Sequence, residues 1–405
     1  MAKVAAIVNF KKINNKEVPY ILRGFFVTSK SGKIVLFELG VLEVEKIVVY
    51  IIGIFFSLGI LDYIIGGKFN LWKGIESGIK SMGSLALSMI GILSITPIIS
   101  DGLIKYIIPV INNNFIKPSI VSSSIIAVDM GGYKIAEAIS SNQIEVYFSG
   151  ILISSMLGCT ISFTLPLALG IVNEKNLDIL CKGILCGIVT LPVGLFLGGL
   201  LLRIPIVAII KSILPIVVIS FLIIIGLNKI PQIMIKYFRG LAKVMFIIGI
   251  IGLGFQGVRS ITGIELVKNL LPLEEAITIV GKIAIFLSGA NVMIEVIKRL
   301  FKNSIEKLGR IMSINLDSVT ALIGSLASAV IVFTDFDKLD DRGKVICSAF
   351  SVGGAYVFGG QLAYVVTEAK EIAFIYIVVK LISGLLAILL ALKITRQDRK
   401  YKINK

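Results

Sequence analysis

The run IVVYIIGIFFSLGILDYII, residues 47–65, carries a single charge, Asp62, close to its end. A helix rises about 1.5 Å per residue, so a run of this length matches the ~30 Å hydrocarbon core of a bilayer. Comparable apolar runs recur at 81–100, 145–172, 178–202, 204–227, 241–260, 275–297, 345–366 and 372–393, with a shorter one at 318–334. The chain is 56% hydrophobic and only 16% charged, whereas a soluble globular domain has about 25% charged residues. The expected fold is therefore an all-α polytopic integral membrane protein. Its 405 residues suit roughly ten helices of about 20 residues each plus connections. No internal linker is long enough to divide the membrane part. The expected organisation is a transport domain at 43–395 followed by a basic tail at 396–405.

The formal net charge is +16. In a membrane protein basic residues cluster in cytoplasmic loops and set orientation. Such clusters stand at Lys229, Lys236, Arg239 and Lys243, at Lys298, Arg299, Lys302, Lys307 and Arg310, and in the tail at Arg396, Arg399, Lys400, Lys402 and Lys405. The C-terminus is expected on the cytoplasmic side of the cell membrane. No nucleic-acid motif or aromatic interleaving accompanies the charge, so nucleic acid is not an expected partner.

Residues 1–42 are mixed and basic, and alternate in places as strands do. VTSKSGKIVLFEL reads as a hairpin with Ser31-Gly32 at its turn. This extension is expected to be either a small cytoplasmic appendage or a stretch outside the natural protein, the translation start having been misassigned. It lacks the pattern of a signal peptide.

Enzyme chemistry finds little footing. The chain has no histidine, which removes the commonest general base and metal ligand. Cys159, Cys181, Cys186 and Cys347 sit in or beside apolar segments and read as small buried hydrophobes. The run Asp335, Asp337, Asp340 and Asp341 is mixed with lysine and arginine and lacks the ligand spacing of a calcium loop. It reads as a solvated loop. Asp62 reads as an interface residue. No Walker A sequence is present, and no cofactor is expected.

One stretch breaks the apolar pattern with chemistry. AVDMGGYKIAEA, residues 127–138, places Asp129, Gly131, Gly132, Lys134 and Glu137 inside sequence that otherwise suits lipid. An aspartate at the membrane centre costs roughly 2.5–3.5 kcal/mol on insertion scales, so it faces a cavity or a partner. Each glycine weakens a helix by about 1 kcal/mol relative to alanine. A broken helix exposes carbonyls, which only protein or a water-filled cavity tolerates. An acid, freed carbonyls and the hydroxyls of Ser122, Ser123 and Ser124 make a site for a small cation. Lys134 and Glu137 read instead as an ion pair near the membrane surface.

A weak internal repeat accompanies this stretch. SIIAVDMGGYKIAEAI followed by SGILISSMLGCTISF has a later counterpart in SLASAVIVFTDFDKL followed by SAFSVGGAYVFGG. Each begins with an interrupted apolar piece suited to a re-entrant element and ends in a span rich in small residues. Interrupted segments in corresponding positions point to a transporter's binding site. The order leaves parallel and inverted repeats both open. Gln361, directly after the second glycine pair of the second copy, can both donate and accept hydrogen bonds and suits a hydroxyl-bearing ligand.

In combination, GSLALSMIGILSITPII (83–99), AVDMGGYKIAEAIS (127–140), SGILISSMLGCTISFTLPLALGIV (149–172), GILCGIVTLPVGLFLGGL (183–200) and DRGKVICSAFSV (341–352) resemble the bacterial ethanolamine-utilisation permease family. The resemblance runs from about Glu45 to Lys393. It implies an inner-membrane protein that carries ethanolamine, an ammonium ion with a hydroxyl two carbons away, into the cytosol. A carboxylate at Asp129 suits the ammonium. The substrate-binding set expected is Asp129, Gly131, Gly132, Ser124, Asn291, Ser328 and Gln361, with a small amine and the lipid bilayer as partners. The chain departs from the family in its second half. Gly360-Gln361 stands where the family has an Asp-His pair. Ser328-Ala329-Val330-Ile331 replaces paired asparagines before Ile-Pro, and Asn291-Val292 replaces Tyr-Pro. These departures leave room for a different small amine or a membrane component that senses or assembles rather than transports, and the interrupted repeat pattern alone would also suit a nucleoside carrier.

Overall fold

The computed structural model describes residues 27–28, 34–35, 38–107, 109 and 117–403. The chain divides into two compact units, Met1–Val48 and Val49–Lys405. In the first, β1 (Val27–Thr28) pairs antiparallel with β2 (Ile34–Val35), Val27 opposite Val35. The rest of the 1–42 reading, including the Ser31-Gly32 turn, lies outside the described residues.

The second unit is helical. The helix α1 (Glu38–Ile64) enters it and is followed by α2 (Trp72–Gly102), α3 (Pro118–Ile125) and α4 (Gly132–Ile139). A continuous helix, α5 (Gln143–Ile171), comes next. Then come α6 (Leu177–Leu201), α7 (Ile206–Lys229), α8 (Pro231–Thr262), α9 (Leu273–Leu300) and the short amphipathic α10 (Lys302–Met312). The chain closes with α11 (Leu316–Ser325), α12 (Val330–Thr334), α13 (Asp341–Gly353), α14 (Gly360–Glu368) and α15 (Ala373–Ile403).

Among the described residues, eight helices are long and apolar enough to cross a membrane. A broken pair, α13 and α14, makes a further crossing. Of the roughly ten spans expected from sequence, the run 318–334 folds instead as a hairpin that does not cross, α11 and α12. One boundary also moves. The stretch from Trp72 to Lys80, which looked interfacial, is the first part of α2. Asp62 explains the entry: its carboxylate accepts from the backbone N–H of Phe69, Leu71 and Trp72 at 2.7–3.1 Å, so it caps a turn and satisfies donors that a helix start leaves open.

The hairpins decide the architecture. The first is α3 and α4. Pro118 opens α3, where its missing N–H costs nothing, and Ile126 and Ala127 are extended. Gly131 then turns the chain at φ +92°, a conformation glycine adopts without Cβ strain. The two ends of the hairpin lie together on one face. Lys117 reaches Glu145 at 2.6 Å, and Ser119 donates to the same carboxylate at 2.6 Å. The second hairpin is α11 and α12. Asn315 N–H and Ser318 Oγ both donate to Asp340, at 2.9 and 2.7 Å, joining its two ends.

The faces differ. The start of α5 belongs to the first hairpin's face, because Glu145 lies there. The end of α5 belongs to the second hairpin's, because Asn176, just past it, donates to Asp337 at 2.6 Å. The hairpins thus enter from opposite sides, and the repeat is inverted. Within this second unit each repeat runs helix, hairpin, crossing, helix: α2, α3–α4, α5, α6 and α9, α11–α12, α13–α14, α15. The first helices of the two repeats, α2 and α9, run antiparallel and close, with Gly78 against Ser288 and Gly74 against Val292.

Matching glycines let each crossing approach its hairpin tip. A Cβ on Gly158 would collide with the carbonyls of Ser123 and Ile126, and one on Gly359 with that of Ala327. Gly158 lies 32 residues past Ile126, and Gly359 lies 32 past Ala327.

Candidate functional site

Asp129 sits on the single 3₁₀ turn Val128–Met130 between α3 and α4. It is half-buried, and the flanking Val128 is fully buried. The turn packs against α2, α5 and α14. Its frame is held by hydroxyls from α5. Ser154 donates to Ile126 O, and Ser162 accepts from Ala127 N–H at 3.1 Å. Gly132 fits because a Cβ there would strike Ser154 Oγ and the carbonyls of Ile126 and Ala127. On the other side, a Cβ on Gly131 would meet Thr96 Oγ1 of α2 at 2.9 Å. Among the described residues, no basic group lies within ion-pairing distance of Asp129.

The second repeat supplies a break of its own. Gly354–Gly359 separates α13 from α14, and Tyr356 is held there at φ +62°. A non-glycine residue in this region is strained, a condition that clusters at ligand clamps and switch regions. The tip of the second hairpin holds the break: Ser325 O and Leu326 O accept from Tyr356 N–H and Phe358 N–H at 3.0 and 2.8 Å. Tyr356 OH is buried with no hydrogen-bond partner among the described residues, as is Tyr364 OH. Tyr364 is fully buried and stacks edge-on against Tyr133 of α4 at 6.2 Å.

Between the two breaks lies a buried polar chain. Gln361 is 2% exposed and opens α14. Its Oε1 accepts from Lys380 Nζ at 2.8 Å and from Tyr376 OH at 3.4 Å. Tyr376 OH also lies 3.0 Å from Tyr356 O. Lys380 donates in addition to Ser155 O at 2.9 Å. Adjacent residues of α5 therefore hold both halves, Ser154 the hairpin tip beside Asp129 and Ser155 the ammonium of Lys380.

The other residues picked from sequence fall differently. Ser124 spends its hydroxyl on Ile120 O at 2.6 Å, while the buried Ser123 Oγ has no partner among the described residues. Ser328 lies at the second hairpin's tip, where its N–H bonds Gly324 O. Asn291 stands apart. It lies on α9 against Gly74, whereas Asp129's turn meets α2 near Thr96, which is roughly 30 Å further along that helix. Lys134 pairs with Glu368 at 2.7 Å, Glu137 at 3.6 Å and Glu275 at 3.7 Å. The aspartates expected to be a solvated loop are engaged: Asp340 ties the second hairpin and Asp337 holds Asn173 and Asn176. All four cysteines are free and buried.

Sequence reading missed Lys380 and Tyr376. The signal was present: Lys380 stands in the middle of the apolar run 372–393, where an ionisable residue is costly and tends to be functional.

The arrangement can hold a small organic cation. It offers one carboxylate, unpartnered hydroxyls and an amide, at breaks in two opposed elements. An apolar cleft of about 290 Å³ opens beside the turn, lined by Met130, Ser162, Phe163, Pro166 and Phe246.

Comparison with known proteins gives this arrangement a family. Residues 44–394 match the family described as "Ethanolamine utilisation protein, EutH". The chain is 34% identical over 364 residues to the "Probable ethanolamine permease EutH" of Listeria monocytogenes, covering 90% of this chain and 97% of that protein. It is 35% identical over 346 residues to the "Uncharacterized protein YxeR" of Bacillus subtilis, covering 85% and 94%. It is 30% identical over 357 residues to the "Probable ethanolamine permease EutH" of Salmonella typhimurium, covering 82% and 86%. No solved structure matches it. The chain belongs to the EutH family of ethanolamine utilisation proteins.

Proposed function

We propose that this protein is a permease for a small protonated amine, with ethanolamine as the leading substrate. The observation that carries the reading is the placement of Asp129. It stands on a glycine-broken turn, with no ion pair among the described residues, where an inverted pair of interrupted elements meets. Inverted repeats with discontinuous helices are the architecture of alternating access, in which substrate binds near the midplane between repeats. Ethanolamine's ammonium matches the carboxylate, and its hydroxyl matches the free phenols of Tyr356 or Tyr364 or the amide of Gln361. In this reading Gln361 offers the ligand its amide N–H, since its carbonyl oxygen already serves Lys380. The relatives named probable ethanolamine permeases support the same substrate.

Orientation follows from charge. The face that receives the end of α9 (Lys298, Arg299), α10 and the C-terminal tail is the basic one and is assigned to the cytoplasm of the cell. The opposite face carries Glu137, Glu275 and Glu368 gathered around the single ammonium of Lys134, a local excess of acid that favours approach of a cation.

The test is uptake of labelled ethanolamine at mildly acidic pH by cells making this chain, against empty-vector cells. Low pH keeps the membrane-permeant neutral amine scarce. Uptake above vector that excess ethylamine suppresses and ethylene glycol does not would support an ammonium-led site. No uptake from protein present in the membrane would refute the substrate.

A further inference from the structure

The two hairpins carry the same pair of charges with the signs exchanged. Lys134 and Glu137 lie eight and eleven residues past Ile126, and Asp335 and Lys338 lie eight and eleven past Ala327. Each pair closes on its own hairpin, at 3.6 Å in the first and 2.7 Å in the second. Each hairpin also binds the end of the other repeat's crossing. On the acidic face, Lys134 reaches Glu368, the last residue of α14, at 2.7 Å, and Glu275, in the first turn of α9, at 3.7 Å. On the basic face, Asp337 of the 3₁₀ turn Phe336–Lys338 accepts from Asn176 at 2.6 Å and from Asn173, both just past α5. Asn176 in turn accepts from Lys344 of α13 at 3.2 Å. The first hairpin thus presents a cation to the opposite repeat, and the second presents an anion.

Behind each tie stands an aromatic contact. Phe163 lies five residues past Gly158 on α5, and Tyr364 lies five past Gly359 on α14. The two crossings run in opposite directions, so Phe163 is displaced toward the basic face and Tyr364 toward the acidic one. Tyr364 meets Tyr133 of the first hairpin edge-on at 6.2 Å, and Phe163 meets Tyr356 of the second repeat's break edge-on at 6.1 Å. These contacts join one repeat to the other, and the turn that carries Asp129 lies between the two sets. Partly exposed ion pairs and edge-on ring pairs each contribute little. A closure built of them can open and reform within a transport cycle. The ties of Ser119 to Glu145 and of Ser318 to Asp340 stay within one repeat and move with it.

On the amine-permease reading above, we propose that Lys134–Glu368 and Asp337–Asn176 are the two gates of the carrier. Each latches the hairpin of one repeat to the crossing of the other. The amine reaches Asp129 from the acidic face when α4 parts from α14. It leaves toward the basic face when the Asp337 turn parts from the end of α5. Inverted repeats rock against one another as bodies, so one latch opens while the other holds. With both latches made, the structure is closed at both faces.

Purified full-length protein in proteoliposomes tests this with two cysteine pairs, Lys134→Cys with Glu368→Cys and Asp337→Cys with Asn176→Cys. A bifunctional methanethiosulfonate joins each pair, mass spectrometry confirms the link, and labelled ethanolamine reads uptake. The native cysteines are buried. Lys117→Cys with Glu145→Cys is the control, because that ion pair lies on the acidic face but within one repeat. Either latch link is expected to lower uptake at least about tenfold, and a reducing agent to restore it to within about twofold. The control link is expected to change uptake less than about twofold. Uptake that persists through a confirmed latch link overturns the proposal. So does a control link that stops uptake as fully as the latch links do.

A second readout needs neither transport nor cysteine, and it decides the matter if a cysteine pair is inactive before linking. In Glu368→Gln, amide hydrogen exchange across 132–139 is expected to rise at least about threefold, with 173–184 as in wild type. In Asp337→Asn the two segments are expected to trade places. Unchanged exchange in both variants, or a rise at both faces together, overturns the latches. A wild type that moves no ethanolamine overturns the amine reading, and hydrogen exchange then decides the latches by itself.

Discussion

Ser318 Oγ donates to the carboxylate of Asp340 at 2.7 Å, and this bond ties the first helix of the second hairpin to the start of the crossing that follows it. Ser119 and Glu145 do the same for the first hairpin at 2.6 Å. The two ties lie on opposite faces. They make each hairpin re-entrant, and they make the repeat inverted. A hydrogen bond to a charged group contributes about 1.5–3 kcal/mol. Asp340→Ala also strips partners from Asn315 N–H and Gly343 N–H. Asp340→Ala is therefore expected to lower the melting temperature in detergent clearly, and Ser318→Ala by less. Fluorescence-detected size exclusion after heating would measure both, and an Asp340→Ala protein that melts like wild type would contradict the tie.

The close approaches at the hairpin tips predict a matched pair of sensitive glycines. Gly158→Ala and Gly359→Ala each force a Cβ onto hairpin carbonyls. Backbone cannot swing aside as a side chain can, and overpacking typically costs about 1–3 kcal/mol. Both variants should accumulate poorly in membranes. Gly170→Ala meets nothing within 4 Å and should accumulate like wild type. Immunoblots of membrane fractions would distinguish these outcomes, and equal accumulation of all three would show that the tips are looser than described.

The inverted topology makes a labelling prediction. Lys117 and Lys370 belong to the acidic face, and Lys175 and Lys338 to the basic one. Their side chains are exposed, whereas the four native cysteines are buried and should stay silent. With the basic face in the cytoplasm, a membrane-impermeant maleimide added to intact cells should label Lys117→Cys and Lys370→Cys. It should reach Lys175→Cys and Lys338→Cys only after permeabilisation. Labelling of Lys117 and Lys370 from opposite sides would break the re-entrant description of the first hairpin.

The acidic face also predicts a salt effect on uptake. Lys134 neutralises part of a cluster containing Glu137, Glu275 and Glu368. Removing its charge in Lys134→Gln leaves a more negative entrance. At low ionic strength the apparent KM for a cationic amine should fall, and the difference from wild type should shrink by about 0.15 M salt, where the screening length is roughly 8 Å. An unchanged KM at low salt would place the cluster off the entry route.

Much of this was legible from residue chemistry. Asp129 with Gly131 and Gly132 announces a broken membrane element, because charge and glycine are both costly there. The duplicated interruption at 124–139 and 325–339 also showed, because small residues and polar hinges survive in order even where side chains differ. Orientation did not show. Which face each hairpin enters depends on contacts such as Ser119 with Glu145, made between segments whose pairing no local pattern encodes. Ser124 and Asn291 illustrate the same limit. One hydroxyl turns back on Ile120 O, and the amide lies far along α9, and both facts are properties of packing rather than of residue type. Lys380 was hidden by the apolar run around it, where a single lysine reads easily as a surface residue.

The central claim is that the Asp129 carboxylate receives the substrate's ammonium. The most direct measurement is uptake of labelled ethanolamine at low micromolar concentration and mildly acidic pH by cells making wild type, Asp129→Asn or neither, with membrane abundance measured in parallel. Asparagine keeps the shape and removes the charge. The account predicts uptake above background for wild type and none for Asp129→Asn at equal abundance. Uptake by Asp129→Asn equal to that of wild type would contradict it.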